Sequence, residues 1–256
     1  MEIIDNNIMN KKIKERMEMP AKVIDDSQQK AAKIAGFTFI FSIAIVIISN
    51  YNVTFRYIVP DAAETAKNLI AHDTLFRINV VGDLVYFLTL IVMSTSLYVI
   101  LKPINKNFAL ATVFIRLVYA FMWSLMAINI LNALYFLGNS SFLKVFETDQ
   151  LEALSRLRLN SSFYAYYIGL PFWGLSSTIC SILLFRSKYI PRVLAIFGII
   201  SSVWCVFCAF TFLIFPTYVE IVHAALFDVP MVLFEVILGF WFLVKGLKPK
   251  KIAQTY

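Results

Sequence analysis

Between Asp83 and Lys102 the chain runs through about 18 mostly apolar residues, close to the length that crosses a bilayer. It then turns through Lys102-Pro103-Ile104-Asn105-Lys106-Asn107 and enters a second apolar run containing Arg116. Each run suits an α-helix in hydrocarbon, where backbone N–H and C=O groups must be satisfied without water. The pair predicts a transmembrane hairpin with an acid in one leg and a base in the other. Similar runs over 35–52, 80–101, 108–137, 162–185, 193–215 and 226–244 extend the plan. The expectation is all-α: a bundle of six transmembrane helices forming one domain over 31–248, with cytosolic tails over 1–30 and 249–256.

The segments between the runs carry most of the charge, which amounts to only 15% of the residues. Pro60-Asp61-Ala62-Ala63-Glu64 has the grammar of a helix start, an N-cap acid with Glu three residues on. It predicts a short interfacial helix over 62–72, and Asp73-Thr74 offers a second start. Asp149-Gln150-Leu151-Glu152 predicts another interfacial helix, with Leu151, Leu154 and Leu157 as its apolar stripe. The turns at 102–107 and 186–192 and the C-terminal tail are short and basic, whereas 216–225 has no Lys or Arg. By the positive-inside rule both termini are cytosolic and the longer loops are outside. The net charge of +7 is then membrane topology, and no nucleic-acid partner is expected. Met1 to Lys33 is too polar for a secretory signal. Cys180, Cys205 and Cys208 lie within apolar runs and read as small core residues.

Four charges fall within the spans: Asp83, Arg116, Asp228 and Glu235. Such residues normally face the bundle interior and find partners. Counting up from the basic turns, Arg116 and Glu235 lie roughly 12 and 15 Å deep, and Asp228 and Asp83 roughly 25 and 27 Å. Two levels follow. The inner level is an Arg116–Glu235 ion pair with Tyr119 a turn above. The outer level sets Asp83 against Asp228, with Asn129, Asn132, His72, Arg77 and His223 nearby. Two carboxylates and two histidines are metal-ligand types, but no His pair has i,i+4 spacing, so no metal is expected. With no Gly-rich phosphate loop, Gly-x-Ser-x-Gly elbow or intramembrane His pair, no cofactor is expected either.

Several stretches carry a family likeness. They are Lys33-Ile34-Ala35-Gly36, Leu75-Phe76-Arg77 with Asp83, Leu101-Lys102-Pro103-Ile104-Asn105-Lys106, and Phe114-Ile115-Arg116-Leu117. Later come Leu184-Phe185-Arg186-Ser187-Lys188-Tyr189-Ile190-Pro191-Arg192, Phe234-Glu235 and Leu243-Val244-Lys245-Gly246. Together these resemble the domain-of-unknown-function 4386 family of bacterial membrane proteins over roughly residues 30–248. The resemblance implies a multi-span protein of the bacterial plasma membrane, with no assigned activity. In the family pattern many members carry a His in the fourth span, where this chain has Ser176. That departure argues against a proton-relay or metal role there, and leaves Asp83, Arg116 and Glu235 as the matching polar positions.

The reading that follows is a membrane-embedded binder or transporter of a small or lipophilic ligand, with the bilayer as solvent and a homodimer expected at this size. Two alternatives stand beside it. One is a membrane enzyme acting on lipid at the outer surface through Asp83, Asp228 and His223. The other is a non-catalytic membrane partner in which Arg116–Glu235 is a structural latch.

Overall fold

The computed structural model describes residues 24–138, 140–218 and 224–248, and every regular element among them is helical. Residues 1–23 of the expected N-terminal tail, the C-terminal tail 249–256 and His223 lie outside the described residues, whereas residues 24–30 of that N-terminal tail are described and open the first helix.

Helix α1, Asp26–Val46, starts from a capping box. Asp25 accepts from the Gln28 N–H at 2.8 Å, and the Gln28 side chain accepts from the Asp25 N–H. The Ser27 hydroxyl and that Gln28 N–H together hold the Asp25 carboxyl below its usual range. The cap therefore contributes at neutral pH and is lost as pH falls through the lowered pKa. Beyond Val46 the helix widens into a π-helical segment, Ile47–Thr54, and ends in one turn, Phe55–Tyr57. Helix α2, Ala62–Ala71, begins as expected at Asp61, which accepts from the Glu64 N–H at 2.7 Å. Helix α3, Asp73–Leu101, uses the second start without a break. Helix α4, Lys106–Phe136, is capped by Asn105, whose side chain accepts from the N–H groups of Asn107 and Phe108.

A 3-10 turn, Ser141–Val145, leads to α5, Thr148–Ser187, and a tight turn leads to α6, Arg192–Ile214. After one turn at Ala224–Phe227 the chain breaks at Asp228 and continues as α7, Val229–Val244.

Helix α5 departs from expectation. The helix that starts near 149 does not end before the span at 162; the two are one helix of 40 residues, capped by Glu147 and Gln150 rather than Asp149. The polar stretch Asn160-Ser161-Ser162 does not break it because its hydroxyls are used by helices. Ser161 donates to the Leu157 carbonyl at 2.9 Å, and Ser162 donates across to the Met126 carbonyl of α4.

Asp26–Thr54 and helices α3, α4, α5 and α6 are each long and apolar enough to cross a membrane. Helix α7 is apolar but shorter, at 16 residues. These are the helices of a multi-pass membrane protein. Side chains on their outer faces, such as Phe37, Leu88, Phe121, Ile200, Phe207 and Phe240, are apolar and exposed, as they are where lipid is the solvent.

The five long helices and the shorter α7 close into a ring. Helix α1 packs on α3, α3 on α4, α4 on α5 and α5 on α6, while α7 packs on both α6 and α1. The closing seam depends on two glycines. A Cβ on Gly36 would stand 2.7 Å from the Gly239 carbonyl oxygen, so only a bare backbone lets α1 and α7 come this close.

One end of the ring is tied by two glutamine side chains bonded to backbone and by one backbone–backbone hydrogen bond. Gln28 donates to the Ile100 carbonyl, Gln29 exchanges hydrogen bonds with Leu247, and the Lys248 N–H donates to the Tyr189 carbonyl at 2.9 Å. The two basic turns and both ends of the described chain thus meet on the same side.

Candidate functional site

Arg116 and Glu235 come from α4 and α7, on opposite sides of the ring, and meet in its interior. Arg116 Nη1 is 3.5 Å from Glu235 Oε1, and both side chains are buried. That contact is long, and the rest of the network fixes it. Arg116 Nη2 donates to Ser177 Oγ at 2.7 Å, and Ser177 donates on to Glu235 Oε1 at 3.4 Å. Trp173 Nε1 donates to the same oxygen at 2.9 Å. Arg116 Nε donates to Ser176 Oγ, whose own proton goes to the Thr112 carbonyl. Nη1 also meets Met93 Sδ at 3.0 Å, and the guanidinium lies 5.9 Å from the centre of the Phe39 ring. Residues of α1, α3, α4, α5 and α7 therefore converge on one cation. Ser176, at the position of the expected departure from the family pattern, is a small acceptor that fits against the guanidinium.

Above this knot is a cavity of about 510 Å³ with Glu235 on its wall. Val46, Met126, Val232 and Phe227 give it apolar sides. Tyr119 stacks on Trp173 with ring centres 5.8 Å apart, and Trp123 packs against Tyr86 at 4.4 Å. The hydroxyls of Tyr86 and Tyr119 pair with each other at 3.3 Å. Asn50, Tyr166 and Asp228 add polar groups, and Tyr166 donates to Asp228 Oδ2 at 3.1 Å.

The backbone is irregular where it borders this space. Ile47, Asn50, Tyr51 and Thr54 belong to the π-helical segment, and Asp228 occupies the break before α7. Pro171 in α5 leaves the Tyr167 carbonyl without its helical N–H donor, and Tyr167 also lines the cavity. Irregular backbone at membrane depth is tolerated where it lines a cavity or is buried in protein.

Asp83 belongs to a different place. It is buried in α3 and does not border the cavity. Its Oδ1 accepts from Asn50 Nδ2 at 3.1 Å, across from the π-helical segment. One turn earlier on α3, Asn79 donates to Thr54 Oγ1. Asp83 Oδ2 and Asn79 Oδ1 are buried with no hydrogen-bond donor among the described residues. Asp83 and Asp228, equal in depth by residue counting, thus have separate partners.

The remaining outer-level candidates stay at the periphery. His72 stands at the junction of α2 and α3 and its ring packs on Tyr57 at 4.2 Å. Arg77 is exposed and paired with Asp73 one turn away at 2.7 Å. Asn129 donates to its own helix at the Leu125 carbonyl, and neither it nor Asn132 borders the cavity. His223 is outside the described residues.

Sequence reasoning missed Asn50, Trp173, Ser177 and Tyr166. Counting charges passes over them, since each is neutral. The available signal was an amide inside the first span and indole and hydroxyl groups inside the fourth, all of which need partners when buried.

No curated protein and no solved structure matches the chain. A family model does match, over residues 34–246, and the match covers most of the chain. The protein belongs to the family described as Domain of unknown function (DUF4386).

Proposed function

We propose that the protein is a six-span protein of the bacterial plasma membrane, with both termini cytosolic, that binds or transports a small or lipophilic ligand in the central cavity. The observation that carries this reading is the cavity itself. Its volume of about 510 Å³ is that of a small-molecule site, and its walls are mainly apolar with a few convergent polar groups. The π-helical segment and the break at Asp228 support the same reading, because interrupted helices lining a site within the bundle are how many transporters bind their cargo. In this reading α7 and the turn before it form the sixth crossing, and the end carrying the basic turns faces the cytosol.

Native mass spectrometry of the full-length protein tests the reading. A lipid or small molecule should travel with the wild type and be lost from Val232→Trp, in which an indole takes up part of the cavity. The same spectra report the expected dimer. Retention of the same species by Val232→Trp would refute binding in the cavity. Orientation is read separately: a cysteine at Asn107 should be shielded from an impermeant thiol reagent in intact cells, and one at Thr217 should react.

One observation favours a structural role for Arg116 within this scheme. It does not border the cavity, and its donors are taken up by Ser176, Ser177, Met93 and Glu235. Arg116 then acts as the latch, while Glu235 belongs to both the latch and the cavity wall.

A further inference from the structure

We infer that the ligand of the cavity is an organic cation with an apolar or aromatic body. This rests on the cavity being the binding site and adds the chemical class of its occupant. Among the described residues the cavity is bordered by two carboxylates, Asp228 and Glu235, and by no Lys, Arg or His.

The two acids are not equivalent. Glu235 has its countercharge in Arg116, which stands behind the wall. Asp228 has one neutral donor, the Tyr166 hydroxyl, and forms no ion pair among the described residues. It sits at the N-cap of α7, where the helix macrodipole offers about half a positive charge. The remaining half is unbalanced and faces an interior of low polarity. A carboxylate so placed is short of the solvation it had in water, and a cation beside it supplies what is missing.

The walls favour the same partner. Tyr51, Trp123, Tyr166, Trp173 and Phe227 border the space, and the faces of such rings are the negative ends of their quadrupoles. An anion would meet two carboxylates and no countercharge. An inorganic cation would need a shell of oxygen ligands. Asp228 and Glu235 are two helical turns apart, about 10 Å, and the described residues contain no cluster of three metal-ligating acids, cysteines or histidines. A cation carrying its own apolar surface matches both the acid and the rings.

The test uses two probes of nearly equal size and shape but opposite charge, tetraphenylphosphonium and tetraphenylborate. Each is titrated against the full-length protein in a neutral detergent, following tryptophan fluorescence, since Trp123 and Trp173 border the cavity. The wild type should bind the phosphonium saturably and the borate not at all. Asp228→Asn should weaken phosphonium binding by about ten-fold or more at unchanged melting temperature. Equal binding of the two ions by the wild type, which needs no variant to fold, would overturn the inference. So would full phosphonium binding by Asp228→Asn. Failure to bind either ion, with a neutral lipid still displaced by Val232→Trp, would overturn the cation and leave the cavity as the site. No probe bound and no species displaced would remove both.

Discussion

Glu235 and Asp83 are both acids buried inside the ring, and the fold treats them in opposite ways. Three donors, from Arg116, Trp173 and Ser177, converge on a single oxygen of Glu235. Asp83 has one amide donor on Oδ1 and none on Oδ2 among the described residues. The knot around Glu235 is built from regular helices whose side chains are held in register. The neighbourhood of Asp83 is built against a π-helical segment. The carboxylate of Glu235 thus has its donors matched, and Asp83 with its neighbour Asn79 retains unmatched acceptors. Fully satisfied buried networks rigidify and specify a structure, whereas a buried polar atom left without a partner costs free energy.

The largest effect should come from dividing the inner pair. Arg116→Leu strands Glu235, and Glu235→Leu strands Arg116, so each should lower unfolding stability in bicelles by about 3–5 kcal/mol, the usual cost of breaking a buried pair. The double variant, with no charge left over, should recover much of that loss. A double-mutant cycle checks it. Additive single effects would mean that the 3.5 Å contact carries no coupling, and the inner half would lose its claim to be the ordered one.

This contrast was half legible in the sequence. A fixed rise per residue allows depth to be counted, and the count brought Arg116 on α4 and Glu235 on α7 to one level. Counting fails where the helix is not α. The first span widens at Ile47, so the side chain that reaches Asp83 is Asn50, which is uncharged and drew no notice. Depth alone also says nothing of azimuth. Asp83 and Asp228 are level yet have different partners, because α3 is turned toward α1 while the break before α7 turns Asp228 toward Tyr166. The long α5 was hidden for another reason. Its serines look like loop residues until the carbonyls they bond to are known.

The next effect compares packing in the two halves through one substitution, Gly→Ala. At Gly36, on the seam of α1 and α7, the new methyl meets backbone: the Gly239 carbonyl at 2.7 Å and the Leu243 N–H nitrogen at 2.9 Å. Neither moves without separating the helices, so a loss of about 1–3 kcal/mol is expected. At Gly82, against the π-helical segment, the nearest atoms belong to the Ser49 side chain at 3.2 and 3.4 Å. A shift of a few tenths of an ångström relieves them, and the loss should be smaller. Thermal unfolding of the two variants in the same detergent gives the order. Equal losses would mean that the outer half is packed as tightly as the inner.

Asp83→Asn should have a smaller effect, of opposite sign. Asn keeps the oxygen that accepts from Asn50 and adds an N–H₂ group on the face of α3 that carries Asn79, whose Oδ1 has no donor among the described residues. Supplying a donor to a buried acceptor should raise stability by about 1 kcal/mol. Glu235→Gln, the same chemical change in the inner half, should lower it by removing the charge that Arg116 needs. If both changes destabilise, the outer acid is as closely matched as the inner one and the contrast between the halves fails.

The smallest effect probes the turns that tie the inner end. Two residues there have left-handed backbone: Gly246 at φ 62° and Lys188 at φ 61°. The first is the residue type that this conformation favours; the second is not. Lys188 ends α5, its N–H bonding to the Leu184 carbonyl, and Tyr189 then turns inward and is buried. The Cβ of Lys188 strains this bend by about 1–2 kcal/mol, and a glycine would relieve it. Glycine also has more freedom in the unfolded chain, which offsets about 0.4–1 kcal/mol of the gain. Lys188→Gly should therefore stabilise by about 1 kcal/mol or less, measured as a rise in melting temperature in detergent. A clear loss would show that the lysine side chain contributes more to the turn than its backbone strain costs. The inner end would then depend on its basic side chains as well as on its hydrogen bonds.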